Sequence, residues 1–188
     1  MGFSERFPRW ITGIIGIIQA ALTAGIVGLE LWSAYIDLAH GTIWVGFWAG
    51  LIFIPTALLM LFITCCCRGR IYGFYVLILT ILSGLLACVV IYFDQYFLNN
   101  LCACYLGDQL CCAVGSIPSF SSNYSNTLNT CSTYQTAGTI SAYTCKTTPT
   151  SKLPLLKAQL ACACGMLVAC ALYALLYIFA CVGICFGH

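Results

Sequence analysis

The chain has 188 residues, of which 62% are apolar and only 6% charged. A soluble domain carries about a quarter of its residues as charge, so an ordinary soluble enzyme and a disordered polymer are both excluded. Seven basic residues against five acidic ones leave a net charge of +2. That is too little basic surface to neutralise a phosphate backbone, and nucleic acid is not an expected partner.

In chain order, residues 1–10 hold Arg6 and Arg9 and lead into a first charge-free run, whose helix is predicted to pass Glu30 and cover 11–36. A short link at 37–42 carries Asp37 and His40. The second helix is predicted over 43–64, with Pro55 inside it, and ends in a basic link at 65–70 that holds Arg68 and Arg70. The third is predicted over 71–93. A cysteine-rich segment, 94–154, precedes the fourth, 155–186, and residues 187–188 close the chain. A bilayer core of about 30 Å takes about 20 helical residues at 1.5 Å each, so each run crosses once. No run alternates with period two, and four strands leave open edges in lipid, so a β-barrel is excluded. The expected fold is an all-α membrane protein: a four-transmembrane-helix bundle with a disulfide-linked extracellular loop between helices 3 and 4.

Direction follows from the arginines. Arg6, Arg9, Arg68 and Arg70 flank short links on one side, and the 37–42 link has no Lys or Arg, which predicts both termini in the cytoplasm. Lys146, Lys152 and Lys157 fall on the outer side, in or beside a segment long enough for the rule to lose force. The first apolar run is too long for a signal peptide, although the small residues Ala20, Ala21 and Ala24 keep a cleavage site in view. Gly2 with Arg6 at the sixth position does not make a myristoylation site. The expected location is the plasma membrane, multi-pass.

The 15 cysteines divide by compartment. Cys102, Cys104, Cys111, Cys112, Cys131 and Cys145 lie in the outer segment, where an oxidising milieu and a small loop make two or three disulfides the expectation. Six cysteines allow 15 pairings and the sequence selects none. Zinc fits poorly, because the spacings differ from C-x₂₋₄-C and no histidine is near. Cys65, Cys66 and Cys67, beside Arg68 and Arg70, are expected S-acylation sites, with Cys181 and Cys185 as weaker candidates. The plain alternative is cysteine as a small apolar packing residue, which is the reading for Cys88 and Cys170. Cys162 and Cys164, near the outer interface, are candidates to extend the disulfide set.

Asn123-Tyr124-Ser125 is a candidate N-glycosylation sequon on the outer side, and Asn129-Thr130-Cys131 is a poorer one. Ala21-x₃-Gly25 and Gly46-x₃-Gly50 supply small-x₃-small faces for close helix packing. No ionisable group is expected deep in a span, since Glu30, Asp37 and Asp94 all fall near the outer interface. Gln19 is the strongly polar mid-span side chain, placed to hydrogen-bond to a neighbouring helix. Without a charged relay or an inverted repeat, secondary transport is disfavoured. Trp10, Trp32, Trp44, Tyr72, Tyr75, Tyr92 and Tyr96 bracket the spans as interface anchors. His40 and His188 fall on opposite sides, and no G-x-S-x-G, Walker loop or H-E-x-x-H is present. No catalytic, cofactor-binding or metal residues are expected, and an enzyme is not.

The layout resembles that of tetraspan membrane proteins. The segment from Thr42 through Trp44, Gly46, Trp48 and Gly50 to Ile54 is similar to the second-span entry of the membrane-spanning four-domain and sarcospan group. The Cys65–Cys67 triplet and Cys111-Cys112-Ala113 look more like tetraspanins, which carry glycine at the position of Ala113. The resemblance implies lateral organisation by association with receptors, adhesion molecules or each other, with Cys111, Cys112, Cys131 and Cys145 as the loop disulfide residues and acylation of inner cysteines. The expected function is therefore a non-catalytic membrane scaffold or receptor-associated organiser. The alternatives are a self-assembling structural or junctional protein and a channel-type subunit. Expected partners are the lipid bilayer and other membrane proteins or further copies of the chain, with no small-molecule substrate.

Overall fold

The structure, a computed structural model, describes residues 9–36, 44–65, 70–99 and 152–185. They form four helices, α1 (Arg9–Ile36), α2 (Val45–Cys65), α3 (Arg70–Asn99) and α4 (Lys152–Cys185), with no strand among the described residues. Each contains a stretch long and apolar enough to cross a membrane. Away from water every backbone N–H and C=O must find its partner inside the segment, and for a single open chain the helix does this. The interior of α2 holds a helix breaker, Pro55. Its missing N–H costs one ladder bond, yet α2 runs on to Cys65. One residue later, the Thr56 hydroxyl donates back to the Ile52 carbonyl at 2.7 Å.

The helices close a ring: α1 packs on α2 and α4, and α3 packs on α2 and α4. Links of only a few residues join α1 to α2 and α2 to α3, so these neighbours run antiparallel. The ring therefore has a loop end, where α1 and α3 finish and α2 and α4 begin, and an opposite end from which α1 starts and at which α4 finishes.

Polarity is inverted relative to a soluble bundle. The outward faces carry Ile17, Leu58, Leu85, Leu172 and Phe179, all exposed, while ten polar or charged side chains among the described residues are buried. Lipid tails are as apolar as leucine, so burying apolar surface drives helix association weakly here, and close packing and interhelical hydrogen bonds must do so instead. Each interface shows such a device. Along α1–α2, a Cβ added at Gly13 would lie 3.1 Å from Thr64, one at Gly16 3.0 Å from Leu61, and one at Gly50 only 2.7 Å from Val27. Between α1 and α4, Gly25 faces Cys162 and Gly165 faces Leu22, each at 3.3 Å from the position a Cβ would take. The α2–α3 seam is tied by a 2.9 Å hydrogen bond between the Thr56 and Ser83 hydroxyls. On α3–α4, Gly84 lies against Cys170, and the Tyr173 hydroxyl donates to the Gly73 carbonyl at 3.3 Å.

Two apolar clusters fill the interior. One, around Met60, Val76, Tyr173 and Tyr177, occupies the end away from the loops. The other, around Ile26, Phe53, Val90 and Met166, lies toward the loop end. Between them Gln19 reaches from α1 to α4, its Nε2 donating to Cys170 Sγ at 3.6 Å. Trp44 accepts the first hydrogen bond of α2, from Trp48 N at 3.0 Å, with φ at 59°. A bulky residue in the left-handed region costs about 1–2 kcal/mol, and its ring packs edge-on against Phe47.

The expected disulfide-linked fold is corrected. Among the described residues no Sγ–Sγ bond is formed, and Cys65, Cys88, Cys162, Cys164, Cys170 and Cys181 are all free thiols. Cys162 and Cys164 therefore do not extend a disulfide set. The physical reason is visible in the packing: Cys162 and Cys170 fill the space that Gly25 and Gly84 leave. Cys102, Cys104, Cys111, Cys112, Cys131 and Cys145 lie outside the described residues.

Candidate functional site

Two features stand out, one inside the ring and one on its flank. The interior feature sits at the loop end. Glu30 comes from the last turns of α1, Asp94 from those of α3, and Gln159 from the second turn of α4. All three are buried, Asp94 and Gln159 completely. Gln159 Nε2 donates to Glu30 Oε2 at 2.5 Å. The Asp94 and Glu30 carboxyls lie within range of each other's charge. Helix α2 contributes Gly46, where a Cβ would stand 3.0 Å from Glu30 Oε2 and 3.1 Å from Gln159 Nε2. A glycine there is what lets these side chains meet.

Glu30 and Asp94 stand toward the ends of their helices, as the sequence places them, but both are buried in the bundle. They lie about 11 and 14 Å along their helices from the helix midpoints, close to the edge of a hydrocarbon core of about 30 Å, and point into the bundle. The missed signal is a polar stripe. Thr12, Gln19, Thr23, Glu30 and Ser33 recur at steps of three, four or seven, which places them on one face of α1, and all are buried.

The flank feature is a groove of about 440 Å³ between α1 and α2. Its floor is Ala20, Ala24 and Gly28, one helical turn apart on α1, and Leu31, Ile54 and Leu58 form its sides. A Cβ at Gly28 would have nothing within 4 Å. Gly13, Gly16, Gly46 and Gly50 are taken up by α1–α2 packing, whereas the small residues of this groove are not.

The candidates for modification stand apart from both features. Cys65 is exposed at the end of α2, and Cys181 is half-buried against the Met60–Tyr173 cluster. Cys170 packs in the core, while Cys88 is exposed on the outer face. Cys66, Cys67 and Asn123 lie outside the described residues, as does the side chain of Cys185. Trp10, Trp32, Trp44, Tyr72, Tyr75, Tyr92 and Tyr96 are all exposed. No group of three or more His, Cys, Asp or Glu side chains converges among the described residues.

The class these observations define is a multi-pass, all-α membrane protein built as a four-helix ring. No family model matches the chain, and no curated protein or solved structure matches it either. The likeness to tetraspan families is one of layout.

Proposed function

We propose that this chain is a non-catalytic lateral organiser of the membrane, which seats a transmembrane helix of a larger membrane protein in the α1–α2 groove. The observation that carries the reading is the unfilled run Ala20, Ala24, Gly28. In lipid, small residues four apart let a second backbone approach closely, and association depends on that approach. The groove extends over residues 20–31 of α1, about 17 Å of helix, and holds almost no polar surface that a ligand would need. A helix ridge fits such a trough better than a flexible acyl chain, because every turn meets a small residue. The tetraspan-like layout supports the same role.

In this reading both termini face the cytoplasm at the plasma membrane, with Arg6, Arg9, Arg68 and Arg70 on the inner side. Cys65, Cys66 and Cys67 then stand at the inner headgroup level, where acylation would hold the α2 end in the membrane. Cys181 and Cys185 approach the same level.

The test is gentle extraction of tagged wild-type protein and of a Gly28→Leu variant from native membranes. The expected result is a larger membrane protein recovered in fixed ratio with the wild type and lost with the variant, which fills the groove while leaving internal packing alone. Recovery of both as homo-oligomers, or of both as free monomers, would overturn the reading.

A further inference from the structure

At the end of the ring where α1 and α3 begin, a cleft of about 340 Å³ opens between α3 and α4. Ile71, Phe74 and Tyr75 of α3 line one side and Tyr177 of α4 the other. The three α3 side chains are exposed, whereas Tyr177 is buried. One turn before Tyr177, the Tyr173 hydroxyl donates to the Gly73 carbonyl at 3.3 Å and holds the two helices together at this level. Charge is distributed unevenly along the bundle. Arg70 opens α3 as the residue before Ile71, and Arg9 opens α1 at the same end. In the sequence, four of the seven basic residues (Arg6, Arg9, Arg68 and Arg70) open or closely precede these two helices, against Glu5 alone of the five acidic ones. The acidic residues of the described helices, Glu30 and Asp94, stand at the loop end instead.

A smooth, exposed helix face meets lipid of any kind. A recess that begins at a basic residue discriminates between lipids, because the recess takes an acyl chain and the cation takes a negative headgroup. Basic pockets between transmembrane helices bind anionic headgroups in this way. We propose that the α3–α4 cleft, with Arg70 at its mouth, is a binding site for one anionic glycerophospholipid of the phosphatidylserine type. The headgroup sits at Arg70, and an acyl chain runs past Ile71 and Phe74 between Tyr75 and Tyr177. The direction fits, since α3 enters the bilayer from Arg70 as an acyl chain does from its headgroup. The α1–α2 groove, by contrast, has no basic residue in its lining. The lipid site goes beyond the organiser reading: it lies on the opposite flank of the ring and does not depend on that groove.

The test is native mass spectrometry of the full chain, released from nanodiscs that contain equal amounts of phosphatidylserine and phosphatidylcholine. One lipid should be retained per chain, with phosphatidylserine favoured at least about fivefold, the size of one basic contact at a membrane surface. Arg70→Gln should erase that preference. Lys157→Gln, the same change of charge at an exposed position of the loop end, should leave it intact. Phe74→Ala, at an exposed position, should lower retention of both lipids by removing a wall of the cleft. Gly28→Leu should retain the lipid as the wild type does, so that the two readings fail separately. No retained lipid in the wild type, or equal retention of the two lipids, would overturn the proposal whether or not any variant folds. A preference that survives Arg70→Gln would also overturn it, as would unchanged retention in Phe74→Ala.

Discussion

The side-chain amide of Gln159 on α4 donates to the Glu30 carboxylate on α1 at 2.5 Å, joining residues 129 apart in sequence. A hydrogen bond to a charged group is about twice as strong as a neutral one, and this one lies where water does not compete. Replacing Gln159 with Leu keeps the volume and removes the donor, leaving Glu30 buried with one partner fewer. The expected loss is about 1–3 kcal/mol of stability, read as a lower midpoint in SDS or thermal unfolding of the purified protein. An unchanged midpoint would mean that the bond contributes nothing to folding.

Gly50 tests the α1–α2 seam. A methyl group there would stand 2.7 Å from the Val27 Cγ2, and a β-branched side chain in a helix has little rotamer freedom with which to move aside. Gly50→Ala should therefore force the helices apart at a cost of about 1–3 kcal/mol. Gly28→Ala, with open space around it, should change stability by less than about 0.5 kcal/mol. Parallel unfolding curves of the two variants measure the contrast, and equal losses would refute the packing described for this interface.

The Thr56–Ser83 bond is the polar tie between α2 and α3. A double-mutant cycle with Thr56→Val and Ser83→Ala should give a coupling of about 0.6 kcal/mol, the usual size for such bonds within membranes. Thr56 also bonds to Ile52 O, so Thr56→Val should cost more than Ser83→Ala. A coupling near zero would mean that the two hydroxyls do not interact in the membrane.

The four spans are legible in the sequence because charge is absent over lengths a bilayer dictates, and composition alone reveals that. The glycines are legible as packing residues but not by partner. Gly25 meets Cys162 and Gly165 meets Leu22, pairings set by the ring order, which local sequence does not contain. The loop-end cluster is less legible still. Glu30, Asp94 and Gln159 each look like an interfacial polar residue when read along its own helix, and only the rotation of three helices turns them inward together. The stripe from Thr12 to Ser33 on α1 held the clue to that rotation. Disulfides are the opposite case: cysteine number and compartment suggested them, whereas the described thiols are free and those near glycines act as packing groups.

The most direct test of the organiser account is site-specific photo-crosslinking in native membranes, with a photoreactive side chain placed at Ala24 and, separately, at Leu172 on the exposed face of α4. The account predicts one discrete adduct from position 24, with a partner transmembrane protein of fixed mass, and none from position 172. Lipid adducts alone at position 24, or the same adducts from both positions, would contradict it.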